Sequence, residues 1–335
     1  MSRDIRLSSE QVEPRLREGF VREMLKPLYV PSPVDGGQGS SLYVRMTIRP
    51  AHTLLLWRSA FGRLQYLRDR RLVQRSNVDH FQVMVLLKGS LAGDFDGKAV
   101  SAAGGAVFLA DLGRPFRFRV EEGAGLTVAL DRSSIQKVLG RNSWHGHVYR
   151  ANEPITQLVA DYLLGLYSVA HALTAPQSAG VLEALSDLLL AGSSGHAVMP
   201  DRASALSLVF RERILEFIDA HIWDGMLDPD FLMRRFRVSR SHLYRAFEAD
   251  GGVARVIRNR RLDFAYRRLV TPTTDANSIK EIARDCGYAS SSQFIRAFRA
   301  HFGVTPRTAQ REGVMPPTEN CVTRLRKHFE TVAGW

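Results

Sequence analysis

The sequence predicts an α+β multidomain chain: a small β-barrel or sandwich first, a helical segment next, and an all-α domain of two helix-turn-helix units last. Three observations carry this reading. Short apolar runs broken by Gly, Asp and Pro give way, after about residue 131, to apolar residues spaced three and four apart. One segment of the C-terminal third recurs, with Arg-Ala-Phe at 245–247 and again at 296–298. The same third holds nearly all of the chain's excess positive charge.

Taken in order, residues 1–40 are an N-terminal extension with one expected helix, Val12 to Lys26. A loop follows at Pro31–Gly39, where Pro, Ser, Asp and Gly crowd together. Residues 41–131 are the β-rich domain, with strands expected at Leu42–Ile48, Phe81–Leu87, Gly105–Leu109, Phe116–Val120 and Leu126–Leu130. Within Leu91–Gly97 the Asp96-Gly97 pair predicts a hairpin, because Asp-Gly readily takes positive φ, and Gly104-Gly105 reads as another turn. Residues 132–192 are helical. Ile155, Leu158, Val159, Tyr162, Leu163, Leu166 and Tyr167 mark one helix, and Val181, Leu182, Leu185, Leu188 and Leu189 a second. Such leucine stripes pack on a neighbouring core or form a dimer surface. Residues 193–204 link to a helical domain at 205–312, and the tail at 313–335, with Pro316-Pro317, has no clear period.

Charge narrows the partners. The 335 residues carry 46 Lys/Arg and 34 Asp/Glu, a net charge of +12. Between Phe231 and Arg311, 17 Lys/Arg stand against 6 Asp/Glu, a local balance of +11. That concentration points to a polyanion bound by the C-terminal third. Only Cys286 and Cys321 are present, so there is no disulfide framework and no metal-ligand spacing. The charged N-terminus lacks a signal-peptide core, and no stretch approaches the roughly 18 apolar residues of a membrane span. A cytoplasmic protein is expected, without a membrane partner.

The repeat is specific. Phe231–Phe247 and Glu281–Phe298 each read as a short helix, a tight turn and a second helix starting at a serine. The offset is 50 residues before the turn and 51 after it, so the second turn holds one extra residue. Ala283 lets two helices cross closely, Gly287 permits the backbone that ends the first, and Ser239 and Ser290 are natural N-caps. A capped N-terminus presents N–H groups to a phosphate. With Leu243 and Phe247, or Phe294 and Phe298, facing inward, the outer face is Arg240, Ser241, Tyr244 and Arg245 in one unit. In the other it is Ser291, Ser292, Ile295 and Arg296. Arginine can grip guanine, serine several base edges, and isoleucine a thymine methyl. Between the units, Val253 to Val270 predicts a connecting helix rich in arginine (255, 258, 260, 261, 267, 268).

These residues resemble the AraC/XylS family of bacterial transcription regulators, whose DNA-binding domain joins two helix-turn-helix units by a linker helix. Ser239–Phe247, Arg260-Arg-Leu262 with Ala265, Ile282-Ala283 and Cys286-Gly-Tyr288 carry the resemblance, with Phe294, Arg296-Ala-Phe298 and Phe302–Pro306. The likeness runs from Phe210 to Arg311. Met233 and Arg237 stand where the family usually has alanine and glycine, and Val253 where it often has proline. The N-terminal region resembles the family's sensor at His80–Gly89, Gly104-Gly105 and Asp111–Pro115. That resemblance implies a cupin-like barrel binding a small effector, helices that make a homodimer, and promoter DNA and RNA polymerase as partners. His80, Gln82, Met84, Phe108, Phe116 and Phe118 are the candidate pocket residues.

Two other readings compete. A metal enzyme on a cupin-like barrel would need clustered His and carboxylate ligands, and the β region holds only His52 and His80. The His145-Gly-His147 pair lies past the last expected strand and reads as a surface loop. No catalytic residue, cofactor or metal is therefore expected. In the other reading the N-terminal region only dimerises, and its aromatic interior is plain core.

Overall fold

The computed structural model describes residues 4–34, 42–52, 54–76, 78, 80–132, 144–194, 202–270, 278–312 and 321–334. Residues 35–39 of the expected first loop, 133–143 of the expected helical segment, 195–201 of the linker and 313–320 of the tail lie outside these. The chain divides into two units: residues 1–197 with 317–335, and residues 198–316.

The first unit is built on two sheets. The larger runs β1 (Ile5–Ser8), β3 (Val44–Ala51), β4 (Leu54–Phe61), β11 (Gly123–Asp131), β6 (His80–Lys88), β9 (Val107–Asp111) and β12 (His147–Tyr149). The smaller runs β2 (Val30–Pro33), β5 (Leu64–Arg68), β10 (Phe116–Val120), β7 (Ser90–Phe95) and β8 (Lys98–Ala103), and every pairing described is antiparallel. Among the described residues no ladder joins the two sheets, so the cupin-like domain is an open barrel. Side chains alternate as a half-buried strand requires: Phe116, Phe118 and Val120 point into the core and Arg117 and Arg119 outward. The β7–β8 hairpin turns on Asp96 and Gly97, both at positive φ. The expected loop at Pro31 begins instead as β2, an edge strand that tolerates Pro31 and Pro33 because its outer side needs no ladder N–H.

The inner faces of the two sheets share one core, which α1 (Arg17–Leu25) joins through Phe20, Val21 and Met24. A short α2 (Arg70–Ser76) precedes β6. Fully buried Arg68 donates to the carbonyls of Pro27, Leu28, Val78 and Leu112 and to Ser76 Oγ, tying three connections together. The outer face of the larger sheet is covered by α3 (Pro154–Val169) and α4 (Ala175–Ser194). Val159, Leu163, Leu166, Leu182, Leu185 and Leu189 are buried there, so the main leucine stripes are core. Leu158, Leu164 and Val169 of α3 stay exposed.

His145 overturns the surface-loop expectation. It is 2% exposed, packs against Phe95 and Phe116, and accepts the Asp111 N–H at Nδ1. His147 opens β12 on the edge of β9. Sequence periodicity missed this because a three-residue strand carries too little pattern.

The second unit is helical: α5 (Arg202–Ala220), α6 (Pro229–Phe236), α7 (Arg240–Ala246), α8 (Val253–Val270), α9 (Ile279–Asp285), α10 (Ser291–Phe302) and α11 (Pro306–Glu312). One apolar cluster gathers α5 to α7 against the start of α8, and a second gathers α9 to α11 against its end. The last helix, α12 (Cys321–Ala333), belongs to the first unit.

Candidate nucleic-acid interface

The duplication seen in the sequence is duplicated in hydrogen bonds. Asp228 caps α6 by accepting from Phe231 N, and Ser278 caps α9 in a full capping box with Glu281. Fifty residues apart, Val238 N bonds to Met233 O and Tyr288 N to Ala283 O, closing the first helix of each unit in the same way. Ser239 then caps α7 through His242 N, and Ser290 caps α10 through Gln293 N. The extra residue of the second turn is thus confined between Tyr288 and Ser290.

Packing fixes which face of each second helix is free. Leu243 and Phe247 are fully buried, as are Phe294 and Phe298 at the matching positions. Ser239, Arg240, Ser241 and Arg245 are exposed, and Tyr244 is half-buried beneath the Arg240 guanidinium at 5.3 Å. In the second unit Ser290, Ser292, Ile295 and Arg296 are exposed and Ser291 is half-buried. Each predicted set therefore lies together on one helix.

The two helices differ in length. α10 has 12 residues, whereas α7 has 7 and gives way at Phe247 to a tight 3-10 turn, Glu248–Asp250. Gly251 and Gly252, both at positive φ, end that turn, and Asp250 is held by Arg211 at 2.8 Å. The two departures in the first turn are accommodated. Arg237 takes the left-handed conformation (φ 52°) that Gly287 takes in the second (φ 76°), and Met233 is half-buried where Ala283 is fully buried.

The linker helix α8 commits several of its arginines to architecture. Arg260 pairs with Asp219 at 3.2 Å and Arg268 with Asp285 at 2.7 Å. Arg261 donates to the carbonyls of Ile222, Asp224 and Leu227. Arg255, Arg258 and Arg267 are exposed. Beside this joint the Cys286 thiol is pushed up to about 11, first by burial, which removes it from nucleophilic chemistry near neutral pH.

The six pocket candidates lie within the first unit's interior. His80, Gln82, Phe108, Phe116 and Phe118 are buried and Met84 is half-buried. Phe116 and Phe118 stack with Phe95, and Gln82 Oε1 accepts from the buried Tyr29 hydroxyl. Among the described residues, no group of three or more His, Cys, Asp or Glu is placed to hold a metal ion. Nor is any helix long and apolar enough to cross a membrane.

Comparison with known proteins decides the family. An AraC-binding-like domain matches residues 41–192 and a helix-turn-helix domain matches residues 232–312. The chain belongs to the AraC/XylS family. XylDLEGF operon transcriptional activator 2 of Pseudomonas putida is 32% identical over 97 residues, 28% of this chain and 61% of that protein. The regulator YdeO of Escherichia coli K12 is 54% identical over 35 residues, 10% of this chain and 14% of YdeO. This chain thus spans less than two thirds of these relatives. The crystal structure of the AraC-like transcriptional activator CuxR shares the fold, with a TM-score of 0.53 at 22% identity over 79% of this chain and 95% of CuxR.

For an AraC/XylS chain, sequence reasoning omitted two exposed side chains on the α10 face. Gln293 follows Ser292, and Arg299 continues the line of Ser292, Ile295 and Arg296 by one helical step. The three-and-four spacing already in use would have found Arg299 had it been carried one turn further.

Proposed function

We propose that this AraC/XylS-family chain is a sequence-specific, promoter-binding transcription activator controlled by a small-molecule effector and acting as a homodimer. Ser239, Arg240, Ser241, Tyr244 and Arg245 read one major groove. Ser290, Ser291, Ser292, Ile295 and Arg296, extended by Gln293 and Arg299, read the next. Arg255, Arg258 and Arg267 offer phosphate contacts along the linker helix. The observation that carries this reading is the pair of serine-capped helices, each anchored by a buried Leu/Phe or Phe/Phe pair and free on an Arg- and Ser-bearing face.

The effector is assigned to the β-rich unit, with His80, Gln82, Met84, Phe108, Phe116 and Phe118 nearest to it. The exposed Leu158, Leu164 and Val169 of α3 are the apolar side chains that fit pairing with a second copy. Effector binding changes how the helical units engage promoter DNA, where the protein recruits RNA polymerase in the cytoplasm. The alternative in which the β-rich unit only dimerises draws support from the mutual stacking of Phe95, Phe116 and Phe118. Titration calorimetry of the full chain against a panel of small metabolites separates the two: saturable binding favours the sensor, and none across the panel favours the dimeriser.

The DNA reading is tested by selecting duplexes from a random pool with the full chain at moderate salt. Enrichment of one sequence with two blocks about a helical turn (~10 base pairs) apart supports it. A pool that stays random contradicts it.

A further inference from the structure

A cleft of about 280 Å³ opens within the helical unit where both helix-turn-helix units meet α8. Leu227, Asp228 and Pro229 line it from the start of the first unit, and Cys286, Gly287 and Tyr288 from the turn of the second. Ala254, Ile257, Arg258 and Arg261, spaced three and four apart along α8, complete the lining. Anything held in this cleft therefore touches both units and the linker helix together.

The polar groups of the lining are unevenly committed. Asp228 is occupied as a cap, its Oδ1 accepting the Phe231 N–H at 2.6 Å. The bonds from Arg261 to the carbonyls of Ile222, Asp224 and Leu227 all use Nε and Nη2. Its Nη1 takes no part in them and lies beside Gly287, which has no side chain to cover it. Arg258 is exposed and forms no ion pair among the described residues. The Tyr288 hydroxyl is buried and has no hydrogen-bond partner among the described residues. A buried donor left unmet is costly, so an acceptor that reaches it gains more than one at an open surface.

Charge and shape narrow the ligand. Two guanidiniums stand against the one Asp228 carboxylate, and burial keeps the Cys286 thiol neutral, so a single negative charge balances the lining. The volume is many times the roughly 30 Å³ that one water takes in the liquid, and it lies just below the roughly 300–1,000 Å³ of ordinary ligand sites. Leu227, Pro229, Ala254 and Ile257 give it an apolar wall. We propose that this cleft binds a small organic acid with one carboxylate and a compact apolar body. The carboxylate sits between the Arg258 and Arg261 guanidiniums and accepts from the Tyr288 hydroxyl, and the body lies against the apolar wall. The site is separate from the effector assigned to the β-rich unit and needs no DNA contact.

The test is titration calorimetry of the full chain with cyclohexanecarboxylate, its neutral counterpart cyclohexanecarboxamide, and inorganic phosphate. Arg258 is also assigned above to backbone phosphate, so the titrations are run without DNA. The carboxylate is expected to bind saturably with a Kd of about 1 mM or tighter, and the amide and phosphate at least about tenfold more weakly. Arg258→Met and Tyr288→Phe should each weaken the carboxylate about tenfold while the circular dichroism spectrum stays that of the parent. Arg258 is exposed, so its substitution carries the test if the tyrosine variant disturbs the fold. No saturable binding of the carboxylate overturns the proposal, as does equal binding of the amide or of phosphate. Binding that both substitutions leave untouched overturns it too, since it then belongs to another part of the chain.

Discussion

Gly287 lies so close to Arg261 that a Cβ at position 287 would sit 2.9 Å from the Arg261 Nη1 nitrogen, and the guanidinium would have to shift to admit it. Arg261 reaches from α8 to three carbonyls before the first helix-turn-helix unit, while Gly287 forms the turn of the second. The relative placement of the two reading helices therefore passes through this contact. Gly287→Ala puts an alanine in the left-handed conformation and displaces the Arg261 guanidinium, and is expected to destabilise the helical unit by about 1–2 kcal/mol. Urea unfolding followed by circular dichroism measures this, with the transitions of the two units resolved. A variant as stable as the parent would remove the contact from the account.

The matching position in the first unit predicts the opposite sign. Arg237 is exposed and sits at φ 52°, a conformation that costs a non-glycine residue roughly 1 kcal/mol. Arg237→Gly relieves that strain and lowers the entropy of folding slightly, for a net gain of about 0.5–1 kcal/mol. The same unfolding experiment reads it as a shifted midpoint. A loss of stability would mean that the Arg237 side chain makes a contact worth more than its backbone strain.

Burial of His145 sets a pH dependence. Desolvation first, then the nearby Arg114 charge, pushes its pKa down from 6.5 to about 3. Folding then needs the neutral ring, so the unfolded chain binds the extra proton. The stabilisation is complete above pH 6.5 and declines as the pH falls from there toward 3, at up to about 1.4 kcal/mol per pH unit. His145→Gln keeps an acceptor for Asp111 N and removes the titration. Thermal melts between pH 7.5 and 5 should show a shallower slope for the variant, with the remainder coming from His328, which burial shifts in the same direction. Parallel slopes would count against a neutral, buried His145.

What the sequence made legible was local. The serine caps, the Asp96-Gly97 hairpin and the inward Leu243, Phe247, Phe294 and Phe298 each follow from residues within a few positions of one another. What it hid depended on distant partners. Ile5–Ser8 becomes a strand because it pairs with Arg45–Ile48, and Val30–Pro33 because it pairs with Leu64–Leu67. α7 stops after two turns because the chain bends at Gly251 and Gly252 and Arg211 holds Asp250. Within the tail, Cys321–Ala333 becomes a helix because Trp57 and α1 supply the surface that Leu325 and Phe329 cover. His145 is core because Phe95 and Phe116 enclose it.

The central claim is that two serine-capped helices each read their own stretch of duplex. Base preference at every position of the selected site, measured for the parent, Arg245→Ala and Arg296→Ala, tests it most directly. The account predicts that each substitution costs about 1–3 kcal/mol and erases preference in one block while sparing the other. Equal weakening on selected and scrambled duplexes would reduce both arginines to phosphate contacts and contradict the claim.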